Sequence, residues 1–382
     1  MNRRTAFSSG VAPLLMVGFE GTSVPPHLAR WLRDGTVGGV VLFSRNVGGP
    51  GQVRELCRSV RAAAGRGHPA PLIAIDQEGG RVRRLKDPEF TQFPPARSLS
   101  LISPRGEATA RSAGRAAAAE IAVVGIDINF APVLDVDDNV RNWAVGDRSI
   151  SSDPETAAAL GVAWAHGSLD AGVVPVGKHF PGHGSSEADS HEELPVVRAS
   201  RRTLLARDLV PFRAAVRAGI PAIMTAHILY TALDRTWPAT LSRRIIGDLL
   251  RGAMRFRGFV FSDALEMKAI AGRYRLGEAA VRAAVAGCDA LLVCRGEELQ
   301  EEVIEALARA KEEDSDFRAA AAASARRAER LRETLSRVRK RRPGLRSVGS
   351  KRHRELAALL RDRWESIGRT SGGDRSDNIG EG

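Results

Sequence analysis

The chain has 382 residues, 43% of them hydrophobic and 27% charged, with 57 Lys+Arg against 45 Asp+Glu. That balance excludes a disordered chain, and no stretch approaches the roughly 18 uninterrupted apolar residues of a membrane-spanning helix. The basic excess is local: sixteen Lys/Arg against five Asp/Glu lie between Arg326 and Arg369, nearly the whole formal +12, so a nucleic-acid reading would rest on that segment alone.

At the start, Arg3 and Arg4 ahead of the apolar run Val11–Phe19 invite a signal-peptide reading. Pro13 and Gly18 interrupt the run and no small-x-small cleavage site follows, so none is expected. Cys57, Cys288 and Cys294 are too few for a disulfide framework, and Cys288 and Cys294 would stand roughly 20 Å apart on one extended strand. A reducing, cytoplasmic compartment is expected.

Eight short apolar runs follow in order: Leu14–Phe19, Gly39–Phe43, Leu72–Asp76, Ile128–Asp135, Val173–His179, Ala222–His227, Phe259–Asp263 and Ala290–Cys294. They are nearly continuous in apolar character, as parallel strands buried on both faces require. Between them lie helical patterns at Gln52–Ala64, Glu107–Val124, Pro154–Ala171, Arg202–Ala218, Ser242–Met254, Gly277–Ala286 and Glu298–Ala310. This alternation predicts an α/β fold, a (β/α)8 TIM-type barrel over residues 1–312, with a doubly wound open sheet as the rival. A basic helical extension is expected over 313–369, broken at Pro343–Gly344, and a disordered C-terminus over 370–382.

The strands end in polar residues: Asp76, Asp135, Lys178 with His179, His227 and Asp263. Any one of these is unremarkable as a buried hydrogen-bonding group. Five segments delivering carboxylates, imidazoles and an amine to one rim of a parallel barrel form a pocket with chemistry in it. The segment from Lys178 to His191 is the densest. Gly182 and Gly184 permit sharp turns, Ser185–Ala188 offers no large apolar anchor, and a mobile loop is expected. Beyond it Asp189 and His191, two residues apart, point to one side of an extended chain, where the carboxylate would fix the imidazole tautomer and make the other nitrogen a general acid or base. A solvated turn capped by the Asp is the ordinary alternative. His179, His183, Asp189 and His191 also raise a metal site, but adjacent Lys178 would repel a cation and the spacing matches no helical His pair, so no metal is expected. Asp263 closes a very apolar strand. Ionised, it would need cations nearby, with Lys178 and Arg148 as candidates, and could serve as a nucleophile; otherwise it is a buried partner for one of them.

The stretches Ile75-Asp76-Gln77-Glu78-Gly79-Gly80-Arg81-Val82, Asn129–Asp135, Gly146-Asp147-Arg148-Ser149, Lys178–His191, Met224-Thr225-Ala226-His227 and Phe261-Ser262-Asp263 together resemble the β-N-acetylhexosaminidases of glycoside hydrolase family 3, from about Leu14 to Cys294. The resemblance implies retaining hydrolysis of terminal β-linked N-acetylglucosamine through a covalent glycosyl-enzyme intermediate. It implies that Asp263 is the nucleophile, that His191 held by Asp189 is the acid/base, and that Asp76, Arg148, Lys178 and His179 grip sugar hydroxyls, with His227 lining the site. An imidazole in place of a second carboxylate departs from the usual pair about 5–5.5 Å apart and would tolerate an anionic sugar or acceptor. Relatives that cleave glucosides often take their acid/base residue from a second domain, for which the 88 residues after Cys294 are too few.

In the tail, Leu331, Leu335 and Val338, and then Leu356, Leu359, Leu360, Trp364 and Ile367, form apolar stripes among arginines. Packing on the chain's own domain is expected first, weak contact with an anionic membrane surface second, and nucleic acid not at all. The expected protein is thus a monomeric, cofactor-free exo-β-N-acetylglucosaminidase acting on peptidoglycan-derived fragments. The alternatives are a phosphorylase using phosphate as acceptor and a catalytically silent sugar-binding or surface-associated protein.

Overall fold

The computed structural model describes residues 15–137, 144–184 and 194–370. Eight parallel strands close on themselves: β1 (Leu15–Val17), β2 (Gly39–Leu42), β3 (Leu72–Ile75), β4 (Ile128–Asn129), β5 (Val174–Phe180), β6 (Ala222–Thr225), β7 (Phe259–Ala264) and β8 (Ala290–Val293), each beside its sequence neighbours and β8 beside β1. Closure excludes the open-sheet rival. Between and after them run α1 (Pro26–Arg33), α2 (Pro50–Ala62), α3 (Gly106–Val123), α4 (Pro154–Asp170), α5 (Leu209–Arg217), the π-wound α6 (Arg244–Ala253), α7 (Leu276–Ala286) and α8 (Glu297–Glu313). Two helices follow, α9 (Ser315–Arg339) and α10 (Lys351–Thr370).

Alternation along the strands sorts the core into two layers. Met16, Val41, Leu72, Ala74, Ile128, Phe130, Val174, Val176, Phe259, Phe261 and Leu292 fill the barrel interior, where Phe261 meets Phe130 and Phe259 edge-on at 5.4 and 4.9 Å. Their strand neighbours Val17, Val40, Ile73, Val173 and Val260 face the helices. Continuing the inward rows by two residues reaches Asp76 from Ala74, Lys178 from Val176 and Asp263 from Phe261. The same parity that builds the core therefore delivers these three to the C-terminal mouth.

The fourth strand is shorter than the run Ile128–Asp135. Regular pairing stops at Asn129 because Pro132 has no N–H to give; only an isolated bridge between Val133 and Lys178 continues it. The pattern Arg202–Ala218 is two helices, Arg201–Ala206 and α5, separated at buried Asp208, which pairs with Arg207 at 3.2 Å. Helix α1, only eight residues behind Pro25 and Pro26, had no counterpart among the sequence patterns.

The extension closes the other end of the barrel. Ala328, Leu331 and Leu335 of α9 join the interior cluster, so the helix caps the N-terminal face. Two fully buried carboxylates stand at that face just ahead of β4 and β8. Asp127 accepts from Arg61, Arg339 and Arg342 at 3.0, 2.6 and 2.9 Å, and Asp289 from Arg251 and Arg327 at 2.7 and 2.6 Å. Several arginines of the basic segment thus neutralise interior charge. Helix α10 lies along α3, with Leu356 and Leu360 in a third cluster and His353 2.9 Å from Glu120. Cys57, Cys288 and Cys294 are free and buried. Among the described residues no helix is long and apolar enough to cross a membrane.

Candidate active site

Both groups of chemical residues sit in β-bulges. Between β5 and β6 the register slips from Gly177 opposite Ile223 to Phe180 opposite Thr225, which places Lys178 and His179 in the irregularity. Between β7 and β8 it slips from Phe261 opposite Ala290 to Ala264 opposite Leu292, which places Ser262 and Asp263 there. At each slip the neighbouring strand has one residue fewer, so the regular ladder breaks where the inward apolar row gives way to Lys178 or Asp263.

The Lys178 ammonium is 2.6 Å from Asp76 Oδ1 and 2.6 Å from Glu78 Oε1. Arg148 grips Glu78 with two parallel bonds of 2.9 and 2.8 Å and donates to the Ala144 carbonyl at 2.7 Å. Burial alone would push Glu78 up, but Arg148 and Lys178 hold it far below the ordinary carboxylate range. For Lys178 burial works against the charge, and Asp76 and Glu78 reverse it, leaving the ammonium held above its ordinary value. Arg84 adds a guanidinium 3.7 Å from Asp76 and lies over the Phe43 ring.

Fully buried Asp135 organises the next two groups. It accepts from the His179 ring Nδ1 at 2.7 Å, from the His179 backbone N–H at 2.9 Å and from the His183 backbone N–H at 2.7 Å. Burial would raise Asp135, and His179 and His183 together bring it below its ordinary value. With Nδ1–H given to Asp135, His179 has Nε2 as its remaining ring nitrogen. His183 is buried and its imidazole is held at about 4 mainly by burial, so it is neutral near pH 7.

Asp263 is partly exposed and accepts the Ala264 N–H at 2.8 Å. Burial would raise its carboxyl. His227, His179, the Ala264 N–H and Lys178 outweigh that and keep it below the ordinary value, an ionised carboxylate at the mouth.

The expected residues Asp76, Lys178, His179 and Asp263 are brought together. One expectation needs correction. Arg148, proposed beside Lys178 as a cation for Asp263, is committed to Glu78. His227, expected to line the sugar site, stands beside Asp263: Nε2 donates to the Ala264 carbonyl at 2.9 Å, and Nδ1 meets Thr240 Oγ1 at 2.8 Å. Asp189 and His191, with the expected mobile loop, lie outside the described residues. Sequence reasoning passed over Glu78 and Arg84, although Glu78 is two residues beyond Asp76, the spacing that keeps side chains on one side. Among the described residues no group of three or more His, Cys, Asp or Glu is placed to hold a metal ion.

Comparison with known proteins follows the same lines. The glycosyl hydrolase family 3 N-terminal domain matches residues 9–330. A beta-hexosaminidase from Pseudomonas aeruginosa is 42% identical over 300 residues, which is 78% of this chain and 87% of that protein. A family 3 beta-N-acetylglucosaminidase structure from a Paenibacillus species superposes with a TM-score of 0.83 at 34% identity, covering 95% of this chain and 69% of that one. A beta-N-acetylhexosaminidase from Beutenbergia cavernae gives 0.77 at 29% identity, covering 86% and 98%.

Proposed function

We propose that this chain, which belongs to glycosyl hydrolase family 3 and is a glycoside hydrolase, removes terminal β-linked N-acetylglucosamine with retention of anomeric configuration. The observation that carries this reading is Asp263: an ionised carboxylate in a bulge at the mouth of a closed barrel, surrounded by His227, His179 and Lys178. In the first step Asp263 forms a bond to the anomeric carbon as the glycosidic C–O bond breaks, and His191, oriented by Asp189, gives a proton to the leaving oxygen. In the second, His191 takes a proton from water, the water oxygen attacks the same carbon, and Asp263 leaves. Asp76, Lys178 and His179 bind sugar hydroxyls, with Arg148 supporting them through Glu78.

The same reading makes fragments derived from peptidoglycan the substrate, since an imidazole acid/base, unlike a carboxylate in that role, adds no negative charge beside a lactyl-bearing sugar. It places the enzyme in the cytoplasm, supported by three free cysteines, and makes it a monomer whose exposed tail arginines touch anionic lipid weakly.

The test is release of chromophore from a β-N-acetylglucosaminide and from the matching β-glucoside by wild type and Asp263→Asn. Wild type should prefer the acetamido sugar, and the Asn variant should lose roughly a thousandfold or more, the scale seen when a catalytic nucleophile is removed. Equal rates for the two proteins would discard the nucleophile assignment. Free hexosamine as product, also with phosphate present, would exclude the phosphorylase.

A further inference from the structure

The bulge that carries Asp263 leaves β8 without part of its regular ladder, and side chains of β7 and the following turn supply the substitutes. Leu292 N–H donates to Ser262 Oγ at 3.0 Å, and Leu265 N–H returns to the Leu292 carbonyl at 2.9 Å. Just past the end of β8, the Cys294 N–H donates to Glu266 Oε1 at 2.9 Å. Glu266 lies in the tight turn Ala264–Met267, closed by the Met267 N–H on the Ala264 carbonyl at 3.1 Å, the same carbonyl that accepts from His227. Asp263 is therefore bracketed: Ser262 ties the residue before it to β8, His227 ties the residue after it to the loop beyond β6, and Glu266 ties the turn beyond to the end of β8.

We propose that Glu266 is a positioning residue for Asp263, its side chain standing in for the ladder bond that the bulge removes and so fixing the direction in which the nucleophile faces the sugar. The proposal rests on the reading of Asp263 as nucleophile. It accounts for a carboxyl group otherwise badly placed. Glu266 Oε2 is buried without a hydrogen-bond partner, and the side chain lies near Asp263 of β7, Cys294 and Arg295 just past β8, and Arg45 beyond β2. Burial foremost, with Asp263 adding to it, pushes this carboxyl up to about 7. Since Oε1 is the acceptor for Cys294, the proton of the neutral acid belongs on Oε2, and Oε1 accepts the bond in either protonation state. A glutamine reproduces that acceptor; an alanine does not.

The experiment compares wild type, Glu266→Ala and Glu266→Gln on the chromogenic β-N-acetylglucosaminide, with inhibition by free N-acetylglucosamine and the melting temperature measured alongside. Misaligning a reacting atom by about 1 Å costs roughly a hundredfold, so kcat of the Ala variant should fall roughly ten- to a hundredfold. KM and product inhibition should change less than about threefold, because the sugar-binding groups are untouched, and Gln should restore most of the lost kcat. If the Ala variant keeps kcat within about twofold, or if kcat and product affinity fall together, Glu266 does not act on Asp263 and the inference is overturned. A Gln variant as slow as Ala would overturn it too, since the acceptor would then not be what matters. Should the Ala variant fail to fold, the Gln variant and Ser262→Ala, which removes the acceptor for Leu292, make the same kcat-specific comparison. Failure of the underlying reading is recognised separately: Asp263→Asn would then match wild type.

Discussion

Asp76, Lys178 and Asp263 each continue an inward-facing apolar row by two positions, so the pleat that builds the core also carries charge to the mouth of the barrel. These three were legible because the apolar residues beneath them made the change of character conspicuous, whereas the partner of Arg148, Glu78, depends on a loop whose path no periodicity encodes. Glu78 and Glu266 show how the same residue type diverges by environment. Glu78 is clamped between Arg148 and Lys178 and stays ionised, while Glu266, with more burial than compensation, is held near 7. The signs of their linkage to folding are opposite. The depressed Glu78 contributes stability that is present above its ordinary value of 4.5 and disappears only in stronger acid. The raised Glu266 favours the fold below 4.5, and that contribution is lost as the pH rises through about 7. Wild type is accordingly expected to lose stability between about pH 5 and 8 relative to Glu266→Gln, as read by chemical denaturation across that range. Parallel profiles would mean that Glu266 is ionised throughout.

At the scale of elements, the strands were readable and the connections less so. All eight runs became barrel strands because near-continuous apolar segments of four to eight residues suit burial on both faces. The misreadings have local causes: Pro132 ends the ladder of β4, Asp208 divides one helical pattern, and α1 is too short to show a period. The apolar stripe of α9 proved to be the cap of the barrel, which its spacing could suggest but not locate. Leu335 is 2% exposed inside that cap whereas Leu359 of α10 is 46% exposed. Leu335→Ala should therefore cost about 2–5 kcal/mol in urea unfolding and Leu359→Ala within about 0.5 kcal/mol. Similar costs at both positions would contradict the placement of α9 under the barrel.

For the whole molecule, the uneven charge acquires a structural meaning. Arg327, Arg339 and Arg342 face buried carboxylates, whereas Arg352, Arg354, Arg361 and Arg363 of α10 are exposed. Deleting the chain from Arg339 onward removes two of the three guanidiniums around Asp127. A lowered melting temperature is expected, because a buried carboxylate that loses its partners costs roughly 3–5 kcal/mol. Sedimentation with anionic vesicles at low salt should fall in a variant with the four exposed arginines of α10 replaced by glutamine, while activity is retained. Unchanged sedimentation would remove the lipid contact and leave α9 and α10 with their packing role.

Retaining hydrolysis at this site requires Asp263 to become covalently attached to the sugar. Incubating the enzyme with a slowly turned-over β-N-acetylglucosaminide, quenching in acid and mapping the peptides by mass spectrometry tests this directly. The expected result is one hexosamine residue added to the peptide that contains Asp263 and absent from Asp263→Asn. Attachment to a different peptide, or an unmodified Asp263 peptide while substrate accumulates on the enzyme, would contradict it.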